Sequence, residues 1–199
     1  MRIIAGKRKG HRIEAPPGTS TRPTGDRVRE STFSLIGPVD DAAVLDLYAG
    51  SGALGLEALS RGAARATFVE SDRAACRAID RNLEKLRLTG ATVLCSRVEI
   101  VLAQEAAAGR KYDLVLLDPP YDMTDHEPFA RYVPRLLAED GLVVFETSAR
   151  VEPELPLARR TSRKYGSARV TLFEHPSSVS SGVAGGAGAG AVAGEVDEE

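Results

Sequence analysis

Short apolar runs alternate with amphipathic stretches along most of the chain, beginning near residue 43. The apolar runs predict strands at 44–48, 67–70, 92–95, 114–117 and 142–145. Apolar residues recur with helical periodicity between these runs and predict helices at 53–62, 72–90, 126–138 and from 98 onward. Strands that are buried on both faces and joined by helices form a parallel sheet. The pattern therefore predicts an α/β fold whose ligands bind beyond the carboxyl ends of the strands.

The segments before and after this repeating part complete the predicted architecture. Strand-like segments near 163–165 and 170–173 extend the sheet to a mostly parallel, Rossmann-like arrangement of seven strands with helices on both faces. Ile3, Ile4 and Ile13 are separated by glycines and predict a β-hairpin, and a helix follows that begins near 24–26 and ends before Gly37-Pro38. We therefore divide the folded part into an N-terminal extension, 1–37, and a main domain, 38–176.

The end of the chain has a different composition. Residues 177–194 are only Ser, Gly, Ala and Val, and four of the last five residues are acidic. Such a segment offers no large side chain whose burial could offset the entropy lost on ordering. The composition predicts a disordered Gly/Ala-rich acidic tail, 177–199.

The overall composition is that of an ordinary globular protein. The 199 residues are 43% hydrophobic and 27% charged, which suits one domain and permits a monomer. No apolar run reaches the roughly 20 residues of a membrane span, and no secretory signal is recognisable. Cys76 and Cys95 both fall in apolar-periodic segments and are expected to be core thiols in a cytoplasmic protein.

Positive charge is concentrated at the N-terminus, although the net charge of the chain is −2. Residues 1–30 contain eight basic and three acidic residues. A basic arm on a near-neutral body can bind the phosphates of a nucleic acid, and a solvated run of charges is an equally good interpretation of the charge alone. The candidate RNA contacts are Arg2, Lys7, Arg8, Lys9, Arg12, Arg22, Arg27 and Arg29.

A glycine-rich loop follows the first strand of the main domain. Gly50, Gly52 and Gly55 fit the pattern G-x-G-x-x-G between a strand and a helix, where glycine lets backbone and ligand approach closely. Glu70 ends the second strand and can accept hydrogen bonds from both ribose hydroxyls. These features suit a dinucleotide and S-adenosylmethionine equally well.

Asp46, inside the first strand, favours S-adenosylmethionine. A carboxylate near a pyrophosphate would be repelled, whereas the sulfonium and ammonium groups of S-adenosylmethionine would be attracted, directly or through water. Asp46 could also simply cap the glycine turn. The full set of predicted cofactor contacts is Asp46, Tyr48, Gly50, Ser51, Gly52, Glu70, Ser71, Ser96, Arg97 and Val98. The last three follow the third strand, where the adenine ring is expected and where Ser96 or the backbone N–H of Val98 could bind its edge. A surface loop is equally compatible with the side chains of Ser96 and Arg97.

The fourth strand ends in Asp118-Pro119-Pro120-Tyr121. Two prolines stiffen the loop and leave its carbonyls as fixed acceptors. Asp118 and the Pro119 carbonyl could hold an exocyclic base amine in line with a methyl donor, while Tyr121 stacks on an unpaired or flipped base. Pro-Pro alone is usually a rigid turn, but the complete string at a strand end downstream of the glycine loop predicts this chemistry.

Other reaction types lack the residues they need. Neither cysteine lies near the fourth strand end, where cytosine C5 methylation would require a nucleophile. His11, His126 and His175 are scattered without metal-ligand spacing, so we expect no metal. A hydrolase triad is equally unsupported.

These segments resemble the bacterial RsmD-type 16S rRNA guanine-N2 methyltransferases. The similarity covers about residues 1–175 and is carried by 44–62, 68–70 and 118–121 together with two N-terminal segments, 1–6 and 22–30. The N-terminal segments are specific to that family, whereas the glycine loop and Asp-Pro-Pro-Tyr are typical of amino-methyltransferases of the class I S-adenosylmethionine-dependent fold. The resemblance thus implies a methyltransferase catalytic domain, 38–176, behind an RNA-binding extension.

The resemblance also implies a substrate and the roles of several residues. It implies methylation of guanine 966 on N2 in a partly assembled 30S subunit, cofactor binding by Asp46, Gly50, Gly52 and Glu70, catalysis at 118–121, and a position near the active-site mouth for 22–29. Ser96-Arg97 departs from the acidic residue common there in the family, and the Gly/Ala-rich tail is no part of the family pattern. An N6-adenine methyltransferase and an inactive RNA-binding assembly factor are the alternatives.

Overall fold

The computed structural model describes residues 1–16 and 25–176. The strands are β1 (Ala43–Leu47), β2 (Arg65–Glu70), β3 (Ala91–Cys95), β4 (Tyr112–Leu117), β5 (Leu137–Ser148), β6 (Ala158–Tyr165) and β7 (Ala168–Glu174). The helices are α1 (Asp26–Ile36), α2 (Ala53–Ser60), α3 (Arg73–Leu86), α4 (Val98–Ala107) and α5 (Glu127–Leu136), with a 3-10 turn at Gly6–Arg8. The predictions for Arg22 and for the tail 177–199 lie outside the described residues.

The seven strands form one sheet in the order β3-β2-β1-β4-β5-β7-β6. β1 to β5 run parallel to one another, and β7 is antiparallel to both β5 and β6. The order reverses direction at β1, so the carboxyl ends of β1 and β4 flank the topological switch point of the sheet, where ligands bind in such folds. The predicted mostly parallel, seven-stranded α/β fold is confirmed.

Apolar side chains cover both faces of the sheet, as expected for a doubly covered sheet. On one face β1, β4 and β5 pack against α1, α2 and α3, with Phe33, Leu56, Ile79 and Leu116 among the buried residues. On the other face they pack against α4 and α5, with Leu102, Val115 and Phe129 among the buried residues. The two layers fix the strand ends, and the loops that follow β1 and β4 are held on this rigid scaffold.

Element boundaries match the sequence predictions most closely where a capping residue marks them. The Asp72 carboxylate accepts hydrogen bonds from the backbone N–H of Ala74 at 2.6 Å and of Ala75 at 2.8 Å, so α3 begins where its N-cap predicts. The predicted end at 90 is too late, because Arg87 already adopts a left-handed backbone with φ 49°. β5 is longer than the predicted 142–145, since it starts directly from α5 and includes an irregularity opposite Tyr112 and Leu114.

Residues 1–16, which we call the N-terminal arm, fold back on themselves. Arg2 and Arg12 form an isolated antiparallel bridge, and the Ile3 N–H donates to the His11 carbonyl at 2.9 Å. Ile3 and Ile13 are buried against the α1–α3 side of the sheet. The predicted hairpin is therefore present, though much shorter in regular strand than the spacing of its isoleucines indicates.

The N-terminal arm lies along α2. The Glu57 carboxylate accepts hydrogen bonds from the backbone N–H of Ile4 at 2.7 Å and of Ala5 at 2.9 Å. Near the C-terminal end of α2, the Ser60 hydroxyl accepts one from Arg8 N–H at 2.9 Å. The turn of the arm thus lies at the end of α2 remote from the glycine loop, about 12 Å away along the helix axis.

Candidate active site

The loop between β1 and α2 takes backbone conformations that few side chains allow. Tyr48 has φ 60° and Gly52 has φ 79°. A left-handed backbone is cheap for glycine but costs a residue with a Cβ about 1 kcal/mol or more. The surrounding sheet holds Tyr48 in this conformation, and such outliers are typical of ligand-binding loops.

Gly55 serves packing within the protein. A Cβ at this position would lie 2.4 Å from Cε1 of Phe68 and 2.9 Å from Oδ2 of Asp46. Its backbone N–H donates to Asp46 Oδ2 at 2.8 Å. The third glycine of the motif therefore lets the first turn of α2 sit directly on β1 and β2.

Asp46 is buried beneath the glycine loop, with 1% of its surface exposed. Burial raises the pKa of its carboxyl to about 7, the Gly55 hydrogen bond opposes this rise, and the nearby charge of Glu70 adds to it. Asp46 thus caps the first turn of α2 through Gly55, the third glycine of the motif. Its charge also lies close under the loop, where an approaching cation would favour the ionised form.

Glu70 joins the end of β2 to the glycine loop. Its Oε2 accepts from Gly50 N–H at 2.9 Å, and its Oε1 accepts from the N–H groups of Ser71 at 2.7 Å and Asp72 at 2.8 Å. The side chain is partly exposed. Three backbone donors fix the carboxylate at the carboxyl edge of the sheet, and Oε2, which accepts one of these bonds, retains capacity for a further hydrogen bond.

Tyr48 and Glu99, which lies in the first turn of α4, are near this carboxyl edge of the sheet. The Tyr48 hydroxyl approaches Met123 Sδ at 3.6 Å. Burial, followed by the charge and hydrogen bond of Glu99, raises the pKa of Tyr48 above its usual value, so the phenol is neutral and can act as a donor. The ring also meets Phe129 edge-on, with centroids 6.1 Å apart.

The remaining predicted cofactor residues differ in exposure. Ser51 is buried, and its carbonyl accepts a hydrogen bond from Asn82 Nδ2 at 3.1 Å. Ser96 N–H donates to the Glu70 carbonyl at 2.9 Å, which ties the β3 end to the β2 end. Ser71 is exposed, while Val98 is buried at the start of α4. Arg97 points to solvent and pairs with Glu99 at 3.3 Å.

The Asp118-Pro119-Pro120-Tyr121 loop leaves the sheet beside the glycine loop, because Leu117 and Leu47 are paired at the ends of β4 and β1. Asp118 is half-buried, Pro119 is buried and Pro120 is exposed. The Tyr121 hydroxyl donates to Glu146 Oε1 at 3.1 Å. A pocket beside the loop is lined by Pro119, Pro120, Tyr121, Met123, His126, Glu146, Thr147, Ser148 and Val151.

Glu146 was not among the residues proposed from the sequence. It lies near the end of β5 with only 6% of its surface exposed. The available signal was an acidic residue directly after the apolar run 142–145, in a strand predicted to be buried on both faces.

The basic residues proposed as RNA contacts fall into two groups. Arg2, Lys7, Lys9, Arg12 and Arg27 are exposed. Arg8 is partly exposed, and its Nη2 donates to the Arg87 carbonyl at 3.3 Å. The exposed side chains remain candidates for phosphate binding.

Arg29 is a correction to that prediction. Its side chain is fully buried and pairs with Asp26 at 3.0 Å and with Glu57 at 3.8 Å, and it also donates to the Arg2 carbonyl. A guanidinium held in this way inside the protein is unable to reach a phosphate. Arg29 belongs to the network that attaches α1 and the N-terminal arm to α2.

The prediction of two core thiols is correct for Cys76 and wrong for Cys95, which is exposed. Cys76 Sγ donates to the Glu70 carbonyl at 3.4 Å, and burial raises the pKa of this thiol to about 12, with Cys95 as the next cause. Cys95 is exposed because it ends β3, an edge strand in which every residue is partly or fully exposed. Within 1–16 and 25–176, no helix is long and apolar enough to cross a membrane.

Together, the strand order, the glycine loop and the carboxylate-bearing strand ends define a class I S-adenosylmethionine-dependent methyltransferase fold. The family model described as Conserved hypothetical protein 95 matches residues 1–174, and the chain belongs to this family.

Individual relatives agree with this membership. Ribosomal RNA small subunit methyltransferase D of Escherichia coli (strain K12) is 40% identical over 156 residues, which are 78% of this chain and 75% of that protein. The protein of the same name from Haemophilus influenzae is 34% identical over 143 residues, 71% of this chain and 72% of the relative. The solved structure of a hypothetical protein from Thermus thermophilus, TTHA0928, superposes with a TM-score of 0.77 at 34% identity, covering 87% of this chain and 99% of that one.

Proposed function

We propose that this chain transfers a methyl group from S-adenosylmethionine to the exocyclic N2 of guanine 966 in 16S rRNA, in a partly assembled 30S subunit in the cytoplasm. The observation that carries the proposal is the pairing of β1 with β4, which sets the glycine loop and the Asp118-Pro119-Pro120-Tyr121 loop side by side. The relatives named Ribosomal RNA small subunit methyltransferase D support rRNA as the substrate class.

S-adenosylmethionine supplies an electrophilic methyl group on a sulfonium, so the protein needs no metal and forms no covalent intermediate. Glu70 is held at the carboxyl edge of the sheet by three backbone donors. Its carboxylate is the group that would accept hydrogen bonds from the ribose hydroxyls. Asp46 and Glu70 give this edge the negative charge that suits a cationic donor.

The chain's own residues orient the acceptor amine. An exocyclic amine is a poor nucleophile because its lone pair is delocalised into the base. Asp118 and the Pro119 carbonyl would accept hydrogen bonds from its two N–H groups and so fix the nitrogen in line with the methyl group. Orientation of this kind lowers the barrier by up to about 7 kcal/mol in well-oriented reactions. The amine nitrogen would lose a proton as it took up the methyl group that S-adenosylmethionine would supply, and Asp118 would accept that proton.

Incubation of the purified protein with S-adenosylmethionine and small-subunit RNA from a strain lacking the corresponding gene tests the proposal. The modified nucleoside is identified and mapped by mass spectrometry, on naked 16S rRNA and on partly assembled subunits in parallel. N2-methylguanosine at position 966 is expected. N6-methyladenosine would point to the adenine alternative, RNA binding without methylation to an inactive assembly factor, and uptake of a nicotinamide dinucleotide in place of S-adenosylmethionine would overturn the assignment.

Glu70→Ala is expected to weaken S-adenosylmethionine binding by about 10- to 100-fold, because hydrogen bonds to a charged acceptor contribute about 1.5–3 kcal/mol each. Titration calorimetry of the folded variant measures the change. Asp80→Ala removes an exposed carboxylate from α3 and serves as the matched control. An affinity equal to that of the unaltered protein would refute the ribose contact.

Replacing Lys7 and Lys9 with alanine is expected to make RNA binding less sensitive to salt. Both side chains are exposed, and each phosphate that the arm no longer neutralises lowers the slope of log K against log salt by about 0.7–0.9. The control is Arg131→Ala/Arg135→Ala, which removes the same charge from exposed positions on α5, on the opposite face of the sheet. Equal slopes for the two double variants would exclude the turn of the arm from the RNA interface.

A further inference from the structure

Glu146 and Asp118 lie at the same level on neighbouring parallel strands. Leu117 of β4 pairs with Phe145 of β5, so Asp118 and Glu146, which follow these two residues, lie side by side in the register of the sheet. Glu146 is buried with 6% of its surface exposed, and it lines the pocket formed by Pro119, Pro120 and Tyr121. A buried carboxylate therefore lies beside the loop that would hold the target base.

The hydrogen bond from Tyr121 fixes the orientation of the Glu146 carboxylate. The Tyr121 hydroxyl donates to Oε1 at 3.1 Å, which fixes the side chain relative to the proposed stacking residue. Each carboxylate oxygen can accept more than one hydrogen bond. The carboxylate is thus oriented in advance to accept a hydrogen bond from a base that stacks on Tyr121.

We propose that Glu146 selects guanine by accepting a hydrogen bond from its N1–H, next to the amine that is methylated; this inference rests on the function proposed above. The Watson–Crick edge of guanine presents N1–H and the N2 amine as adjacent donors. Adenine presents its amine beside N1, which is an acceptor. A carboxylate therefore meets a donor from guanine but a lone pair from adenine.

Burial makes this difference large. An acceptor that faces another acceptor inside a pocket excluded from water deprives both groups of a hydrogen bond. Sites built to hydrogen-bond a substrate group reject analogues that lack it by about 10⁴- to 10⁵-fold. A buried carboxylate at this position therefore disfavours adenine relative to guanine.

The competing role for Glu146 is structural, in which it only positions Tyr121. The two roles differ in their response to the base. A positioning residue lowers turnover on every base by a similar factor when it is changed, whereas a residue that reads N1–H changes the ratio between bases.

The test uses partly assembled small subunits reconstituted on 16S rRNA that carries guanine, 1-deazaguanine or adenine at the methylated position. 1-Deazaguanine keeps the exocyclic amine and O6 but has C–H in place of N1–H. For the unaltered protein we expect kcat/KM to fall at least about 100-fold from guanine to 1-deazaguanine. A loss below about threefold would overturn the inference without any variant being made.

Glu146→Gln then separates recognition from positioning, with Glu154→Gln, the same change at an exposed residue, as the control. The expected result is a large loss of kcat/KM on guanine and a guanine to 1-deazaguanine ratio that approaches one. An unchanged ratio with lower activity on both bases would assign Glu146 the structural role. If the unaltered protein methylates adenine or no base, the proposed function itself has failed, which is distinct from methylation of guanine without sensitivity to N1–H.

Discussion

Asp118→Ala is expected to lower kcat for RNA methylation by about 10²- to 10³-fold while the dissociation constant for S-adenosylmethionine changes little. Asp118 follows β4, next to the glycine loop but not part of it. Its proposed hydrogen bond is made to the acceptor amine, so its removal affects orientation of the nucleophile and not the site of the methyl donor. Single-turnover methylation measures the first quantity, and calorimetry with S-adenosylmethionine measures the second.

Two further variants sharpen the interpretation of Asp118→Ala. Asp118→Asn keeps an oxygen acceptor without the charge and is expected to recover part of the lost rate. Asp122→Ala removes an exposed carboxylate four residues later and is expected to behave like the unaltered protein. A parallel loss of cofactor affinity in Asp118→Ala would show that Asp118 supports the donor site, contrary to its proposed role.

Glu57→Ala is expected to lower the free energy of unfolding by about 3–5 kcal/mol, the usual result of removing one partner from a buried ion pair. Glu57 is fully buried and accepts hydrogen bonds from Ile4 N–H, Ala5 N–H and Arg61 Nε, the last at 2.8 Å. Its loss also leaves the buried guanidinium of Arg29 with its charge poorly compensated. Urea unfolding followed by circular dichroism gives the difference.

The matched variants for Glu57 test whether charge or packing is responsible. Glu57→Gln keeps an acceptor of similar shape and is expected to cost less than Glu57→Ala. Glu84→Ala, at an exposed position on α3, is expected to stay within about 0.5 kcal/mol of the unaltered protein. A change below about 1 kcal/mol in Glu57→Ala would mean that the N-terminal arm is held mainly by the burial of Ile3 and Ile13.

The strands and the helices between them could be predicted because each apolar run and each capping residue acts locally. Asp72 marks the start of α3, and the run 114–117 marks the core of β4. The length of β5 could not be predicted, because its first residue, Leu137, follows α5 directly and pairs with Tyr112 across a register shift. Pairing of that kind depends on tertiary contacts and leaves no pattern in the segment itself.

The candidate site was partly predictable for the same reason. The glycine loop, Glu70 and 118–121 each carry a local signature at a strand end. Arg29 was misassigned because no local pattern in the sequence indicates that it pairs with Glu57, a buried residue of α2. Glu146 was missed because its significance comes from Tyr121, 25 residues away in the chain.

The attachment of the N-terminal arm to α2 bears on any attempt to graft this arm onto another methyltransferase. Glu57, Ser60 and Asn82 accept hydrogen bonds that the arm's own backbone requires. A chimera carrying only residues 1–37 would bring buried isoleucines and an ionised arginine to a surface without their partners. A chimera in which the arm keeps its conformation must therefore include the faces of α2 and α3 that accept these hydrogen bonds.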